Sequence, residues 1–211
     1  MEKVHARTSG EVIASDVSWD DYMRLYAADH AEWIEGNVVR MSPVTRTHSL
    51  LSLYLSNLLR AYLSDSGEGE LYAEPFVMRL PGISAREPDL QVVLKQHNAR
   101  IRETYVDGPA DLVIEIVSPE SDTRDRVEKF SEYERGGVSE YWIIDPLHRE
   151  ALFYGRGQDG LFHRSSLAAG GVYTSVVLPR LQLATAVLWN ESLPTPREIQ
   201  QDVDRMLTSA S

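Results

Sequence analysis

The sequence predicts a mixed fold, α/β in its centre and α+β overall. A mixed β-sheet is flanked by helices and extended by antiparallel strands toward the C-terminus. Three observations predict it. Residues 112–117 are an almost continuous apolar run, as in a central strand covered on both faces. An amphipathic stretch over 122–135 and a second apolar run over 138–144 follow, and strand–helix–strand at this spacing is a crossover that sets two strands parallel. Beyond them, short β-rich segments at 149–154, 161–164 and 173–178 are separated by Gly157-Gln158-Asp159-Gly160 and Gly170-Gly171.

Composition bounds the rest. The chain has 211 residues and 43% hydrophobic content, enough for one sizeable core. We expect a loose leader over 1–16, one domain over 17–192 and a C-terminal helix over 193–211. No run of 18 apolar residues offers a membrane span, and residues 1–16 lack the apolar centre of a signal peptide. Cytoplasm is the expected compartment. Cysteine is absent, so any metal site must use carboxylate, imidazole or carbonyl. A net charge of -11 argues against non-specific nucleic-acid binding but leaves room for a local basic cleft.

In chain order, Ser18 caps a helix that stops near Asp29, with Asp21 at its positive end. Residues 33–41 form a hairpin turning at Glu35-Gly36-Asn37. A long helix over 45–63 buries Leu51, Leu55, Leu58, Leu59 and Tyr62, with His48 one turn earlier on the same side. Residues 71–80 are strand-like, with Pro75 marking an edge or irregularity. Pro88 holds Glu87 extended and delivers Asp89 at the start of a strand over 90–94. A polar connection covers 96–108. In the helix over 122–135, Val127, Phe130 and Tyr133 line up, and Gly136-Gly137 ends it. Residues 181–189 fit a strand or a short helix, and Thr195-Pro196-Arg197-Glu198 starts the last helix.

Chemistry concentrates in the middle of the chain. A carboxylate inside an apolar strand is costly unless something charged meets it. Asp89 and Glu115 occupy matching strand ends. If those strands are neighbours, both carboxylates and the Ile116 carbonyl can meet one ion. An all-oxygen set suits Mg²⁺ or Mn²⁺ better than Zn²⁺. Lys129 shares a helix side with Asp125 and Tyr133 at four-residue spacing. It is either half of a surface Asp125–Lys129 pair or an ammonium beside the metal ligands. On the second reading, Lys129→Ala leaves fold and Mg²⁺ affinity intact and lowers the rate.

The ordered set resembles the Uma2-like group of the PD-(D/E)xK nuclease superfamily. It comprises Glu35-Gly36, His48, Pro88-Asp89, Glu115 through Pro119, Lys129 with Tyr133, Gly137-Val138, and Glu140-Tyr141-Trp142 through Asp145-Pro146, spread over about 19–189. The resemblance implies a restriction-endonuclease-like core and metal-dependent hydrolysis of DNA phosphodiesters. Asp89 and Glu115 then hold the ion and Lys129 serves the water or the transition state. Glu35 and His48 are supporting members, although a solvent-facing turn glutamate and a structural histidine remain the alternatives. One departure stands out. The superfamily places a lysine two residues after the second acid, where this chain has Val117, so Lys129 would be a lysine displaced to the next helix. Cutting both strands of a duplex implies a homodimer. Two further readings stay open: a weakly active or inactive regulatory relative, and a sugar or nucleotide phosphatase. A groove lined by Arg46, Arg86, Arg124 and Arg126 would favour extended nucleic acid.

Overall fold

Two six-stranded sheets and four α-helices build the molecule in a computed structural model that describes residues 11–41, 43–118 and 124–208. Strand β1 (Glu11–Ala14), helix α1 (Trp19–Leu25), and strands β2 (Ala31–Ile34) and β3 (Asn37–Arg40) open the chain. Helix α2 (Arg46–Ser66) follows, then β4 (Gly69–Ala73), β5 (Val77–Leu80), β6 (Ser84–Arg86) and β7 (Leu90–Leu94). Next come β8 (Tyr105–Asp107), β9 (Leu112–Ile116), a π-helical turn (Arg124–Glu128), α3 (Lys129–Gly136) and β10 (Glu140–Asp145). Strands β11 (Glu150–Arg156), β12 (Phe162–Arg164), β13 (Val172–Thr174) and β14 (Gln182–Ala184) lead to α4 (Pro196–Thr208).

The first sheet has the order β1-β3-β2-β6-β5-β8, the second β12-β11-β10-β9-β7-β4, and β13 pairs with β14 separately. Strands β9 and β10 run parallel around the α3 crossover, as the apolar runs require. Strand β7 lies antiparallel beside β9 with Leu90 opposite Ile114, so the next pair is Asp89 and Glu115. Helix α2 covers one face of this sheet through Leu51, Leu55 and Leu59 against Leu90, Val92 and Ile114. Tyr133 of α3 packs on the other face with Val93, Val113 and Val117. Gly136 lets α3 close on the first sheet: a Cβ there would sit 2.6 Å from Leu80 Cδ1. Thr45 accepts from the His48 N–H and so fixes the first turn of α2.

Several details differ from expectation. The strand-like stretch 71–80 is two strands in different sheets, parted at Glu74 and Pro75. Residues 11–14, read as leader, pair with β3 as an edge strand. Strands β6 and β8 fall in segments too short or too polar to show a period. Val127 is 62% exposed, because the π-helical turn shifts it off the face that Tyr133 buries. Residues 181–189 contain both a strand and a 3₁₀ turn.

Candidate active site

The site sits where the carboxyl end of β9 meets the start of β7, between the two sheets. Asp89 directs Oδ2 at the Ile116 backbone N–H, which donates at 2.6 Å. Its Oδ1 lies 3.0 Å from His48 Nε2, which arrives from the α2 face. Glu115 is met from the opposite face. Lys129 Nζ donates to Oε2 at 2.7 Å and Tyr133 OH donates to Oε1 at 2.6 Å. Lys129 and Tyr133 are one helical turn apart, so the shared side expected for them is the side that meets Glu115. The side chain of Asp125 lies outside the described residues.

A second layer comes from β2 and β6. The Trp33–Ala85 register puts Glu32 opposite Arg86. Arg86 is fully buried and forks onto three carboxylates. Nη1 donates to Glu32 Oε2 at 2.8 Å, Nε and Nη2 donate to Glu132 at 2.7 and 2.6 Å, and Glu128 lies 3.8 Å from Nη2. Glu32 Oε1 is 3.5 Å from Lys129 Nζ and accepts the Glu87 N–H at 3.3 Å. Burial alone would lower the Arg86 pKa, but Glu32 and Glu132 outweigh it and hold it well above its usual value. Arg86 is thus a structural cation, not part of a surface groove. Arg126 is likewise engaged, with Asp145 and Glu150.

Two more carboxyl groups border the cluster. Burial first, then the Glu32 and Glu74 charges, push Glu87 up to about 8, although Lys129 works against them. Among the described residues neither Glu87 oxygen has a hydrogen-bond partner, and His30 Nδ1 stands 3.5 Å from Oε2. Burial and the Asp89 charge raise Glu74. Burial, then Glu115, holds Tyr133 well above its usual range, so it stays a donor.

The structure brings Asp89, Glu115, Ile116, Lys129 and His48 together and leaves Glu35 out. Glu35 is exposed at the β2–β3 turn with a positive φ of 48°. The carboxylate this hairpin sends inward is Glu32, whose position inside an apolar strand carries the same signal that singles out Asp89 and Glu115. Among the described residues no three His, Asp or Glu side chains form a metal-ligand cluster. Each carboxylate oxygen carries two lone pairs, so those of Asp89 and Glu115 can accept from a neighbouring donor and also meet an ion. Glu32, Glu74, Glu87, Asp89, Glu115 and Glu132 outnumber the Arg86 and Lys129 cations. A carboxylate excess of this kind around Asp89 and Glu115 fits a divalent cation there.

Comparison with solved structures aligns 81% of this chain with 96% of a "putative nuclease belonging to DUF820" from Anabaena variabilis, at 17% identity and a TM-score of 0.66. That likeness supports the restriction-endonuclease-like fold. The type IIG restriction endonuclease BpuSI aligns at 17% identity over 81% of this chain and 18% of its own, with a TM-score of 0.37. No curated protein sequence matches. The model of the Uma2 family, described as "Putative restriction endonuclease", matches residues 19–186, and the chain belongs to that family.

Proposed function

We propose that this chain is a divalent-metal-dependent hydrolase of DNA phosphodiester bonds. One observation carries the reading: a buried ammonium, Lys129, held against a carboxylate that directly neighbours a second carboxylate across two paired strands. Asp89, Glu115 and the Ile116 carbonyl would hold Mg²⁺ or Mn²⁺. A bound ion of this class neutralises charge on a phosphoryl oxygen and lowers the pKa of its water. The protein's own contribution is orientation. His48 and the Ile116 N–H fix both oxygens of Asp89. Tyr133 fixes one oxygen of Glu115, so the other meets Lys129 in a defined direction. Lys129 keeps a positive charge beside the reacting phosphate, where charge develops in the transition state. A symmetric dimer is the assembly this reading expects for duplex cleavage, and sedimentation would show its mass.

The test is single-turnover cleavage of single-stranded and duplex DNA with Mn²⁺, against EDTA. Wild type should cut with Mn²⁺, and Asp89→Asn should lose cutting together with the Mn²⁺-induced rise in melting temperature. A second reading, a nuclease fold that binds metal without cutting, draws on one observation. Both Glu115 oxygens already accept from Lys129 and Tyr133. Metal-dependent stabilisation without cleavage of any DNA form would favour it.

A further inference from the structure

An open groove of about 720 Å³ lies between the first turns of α2 and the segment 188–196. Its lining includes Arg46, Leu50, Leu53, Tyr54, Arg149 and Trp189. Leu50 is 40% and Leu53 59% exposed, so apolar surface faces water here. Arg46 and Arg149 have no carboxylate partner among the described residues, although many other arginines of this acidic chain are paired. Among the described residues Glu191 is the one acid in the lining. The first turn of α2 carries no acid either. The groove is therefore locally cationic on a molecule of net charge -11.

Its position ties it to the site. Arg46 lies in the same first turn of α2 as the His48 that meets Asp89, on another side of the helix. Arg149 follows the turn after β10, at the same sheet end as Glu115, because Glu115 pairs with Ile143 near the carboxyl end of both strands. A backbone φ of 51° holds Arg149 in the left-handed region.

We propose that this groove receives single-stranded nucleic acid flanking the cleaved bond, with Arg46 and Arg149 on phosphates and an unstacked base on Trp189, Leu50 and Leu53. The proposal rests on the nuclease reading above and adds the form of the substrate. A duplex shows its surroundings phosphates and groove edges, so the apolar floor would gain nothing from it. An unpaired base has a free face, which aromatic and apolar side chains bind without regard to sequence.

The experiment is fluorescence anisotropy of a labelled mixed-sequence strand of about 12 nucleotides. It uses the full chain in EDTA, so that no cleavage occurs. The single strand should bind more tightly than the matching duplex. Arg46→Glu with Arg149→Glu should weaken it at least about tenfold and flatten the plot of log affinity against log salt by about 1.4, two phosphate contacts' worth for a single strand. Trp189→Ala should weaken binding while leaving that slope unchanged. Equal binding by wild type and the double arginine variant overturns the proposal, as does preference for the duplex. So does a dimer that Leu53→Asp converts to monomer, since the groove would then be covered by a second copy. Binding lost in the arginine variant, with no cleavage by wild type under Mn²⁺, keeps the groove and sinks hydrolysis. Cleavage unchanged in that variant does the reverse.

Discussion

Lys129 joins the two sheets: its Nζ lies 2.7 Å from Glu115 of β9 and 3.5 Å from Glu32 of β2. The ammonium is 2% exposed, so it is no surface partner. Its removal takes from buried Glu115 the ammonium at 2.7 Å and leaves Glu32 to Arg86. Lys129→Ala is then not silent in the fold. In metal-free protein at neutral pH it should cost about 3–5 kcal/mol. Added Mn²⁺ should return part of that loss by supplying positive charge at Glu115. In cleavage the same variant should lose about 100-fold, or about 3 kcal/mol of transition-state stabilisation. Melts with and without Mn²⁺, run beside single-turnover cleavage, separate the two effects. A melting temperature equal to wild type in EDTA would contradict the buried bridge.

Arg86 supports the same junction from beneath. Its fork spans Glu32 and Glu132, and Glu132 Oε2 also accepts from Ser84 Oγ at 2.6 Å. Arg86→Met should destabilise by about 3–5 kcal/mol, because Glu32 and Glu132 lose their buried cation. Arg86→Lys should recover little, since an ammonium cannot match a planar fork across two carboxylates. Chemical denaturation of the three proteins measures this directly. A lysine variant as stable as wild type would show that charge alone matters at the position.

Asp89 and Glu115 are legible in the sequence for a physical reason. Each is a charged group at the end of an apolar run, so burial has to be offset by a partner. Lys129 shows only through its four-residue spacing from Tyr133, which a surface pair with Asp125 fits equally well. Glu32 carries the same mark as the two acids, but its strand is four residues long and ends beside the more conspicuous Glu35-Gly36 turn. Arg86 stands in a three-residue strand, too short to display a period. Its cross-strand partner is distant in sequence, and no local pattern announces such a pairing. The division of 71–80 between two sheets is hidden for a related reason. Both halves read as strand, and sheet membership is decided by long-range pairing.

Glu140 should behave as a structural acid. It is fully buried and accepts from Trp142 Nε1, Tyr173 OH, Ser175 Oγ and the Val177 N–H at 2.6 to 2.8 Å. It clamps the segment around β13 onto the second sheet. Glu140→Ala would strand several buried donors and should cost at least about 3 kcal/mol. Metal-induced stabilisation should persist in the variant, measured by melts below its unfolding midpoint. Loss of the Mn²⁺ response with an intact fold would instead place Glu140 in the functional site.

Glu87 makes stability depend on pH in an unusual direction for a carboxylate. Its folded pKa is about 8, against 4.5 as its ordinary value, because burial and the neighbouring Glu32 and Glu74 charges disfavour the anion. Between those two values the folded state holds a proton that the unfolded state has released. Stability from this group is therefore complete below about pH 4.5 and is lost progressively as pH rises toward about 8. The loss should amount to a few kcal/mol, since the group is 2% exposed. Glu87→Gln removes the ionisation at nearly constant shape. In EDTA the variant should unfold at higher denaturant than wild type at pH 8.5, and the gap should narrow or reverse near pH 5, where wild-type Glu87 is protonated. Guanidinium titrations of both proteins across that range give the comparison. Parallel stability profiles for the two proteins would mean that Glu87 is not the group whose proton is released.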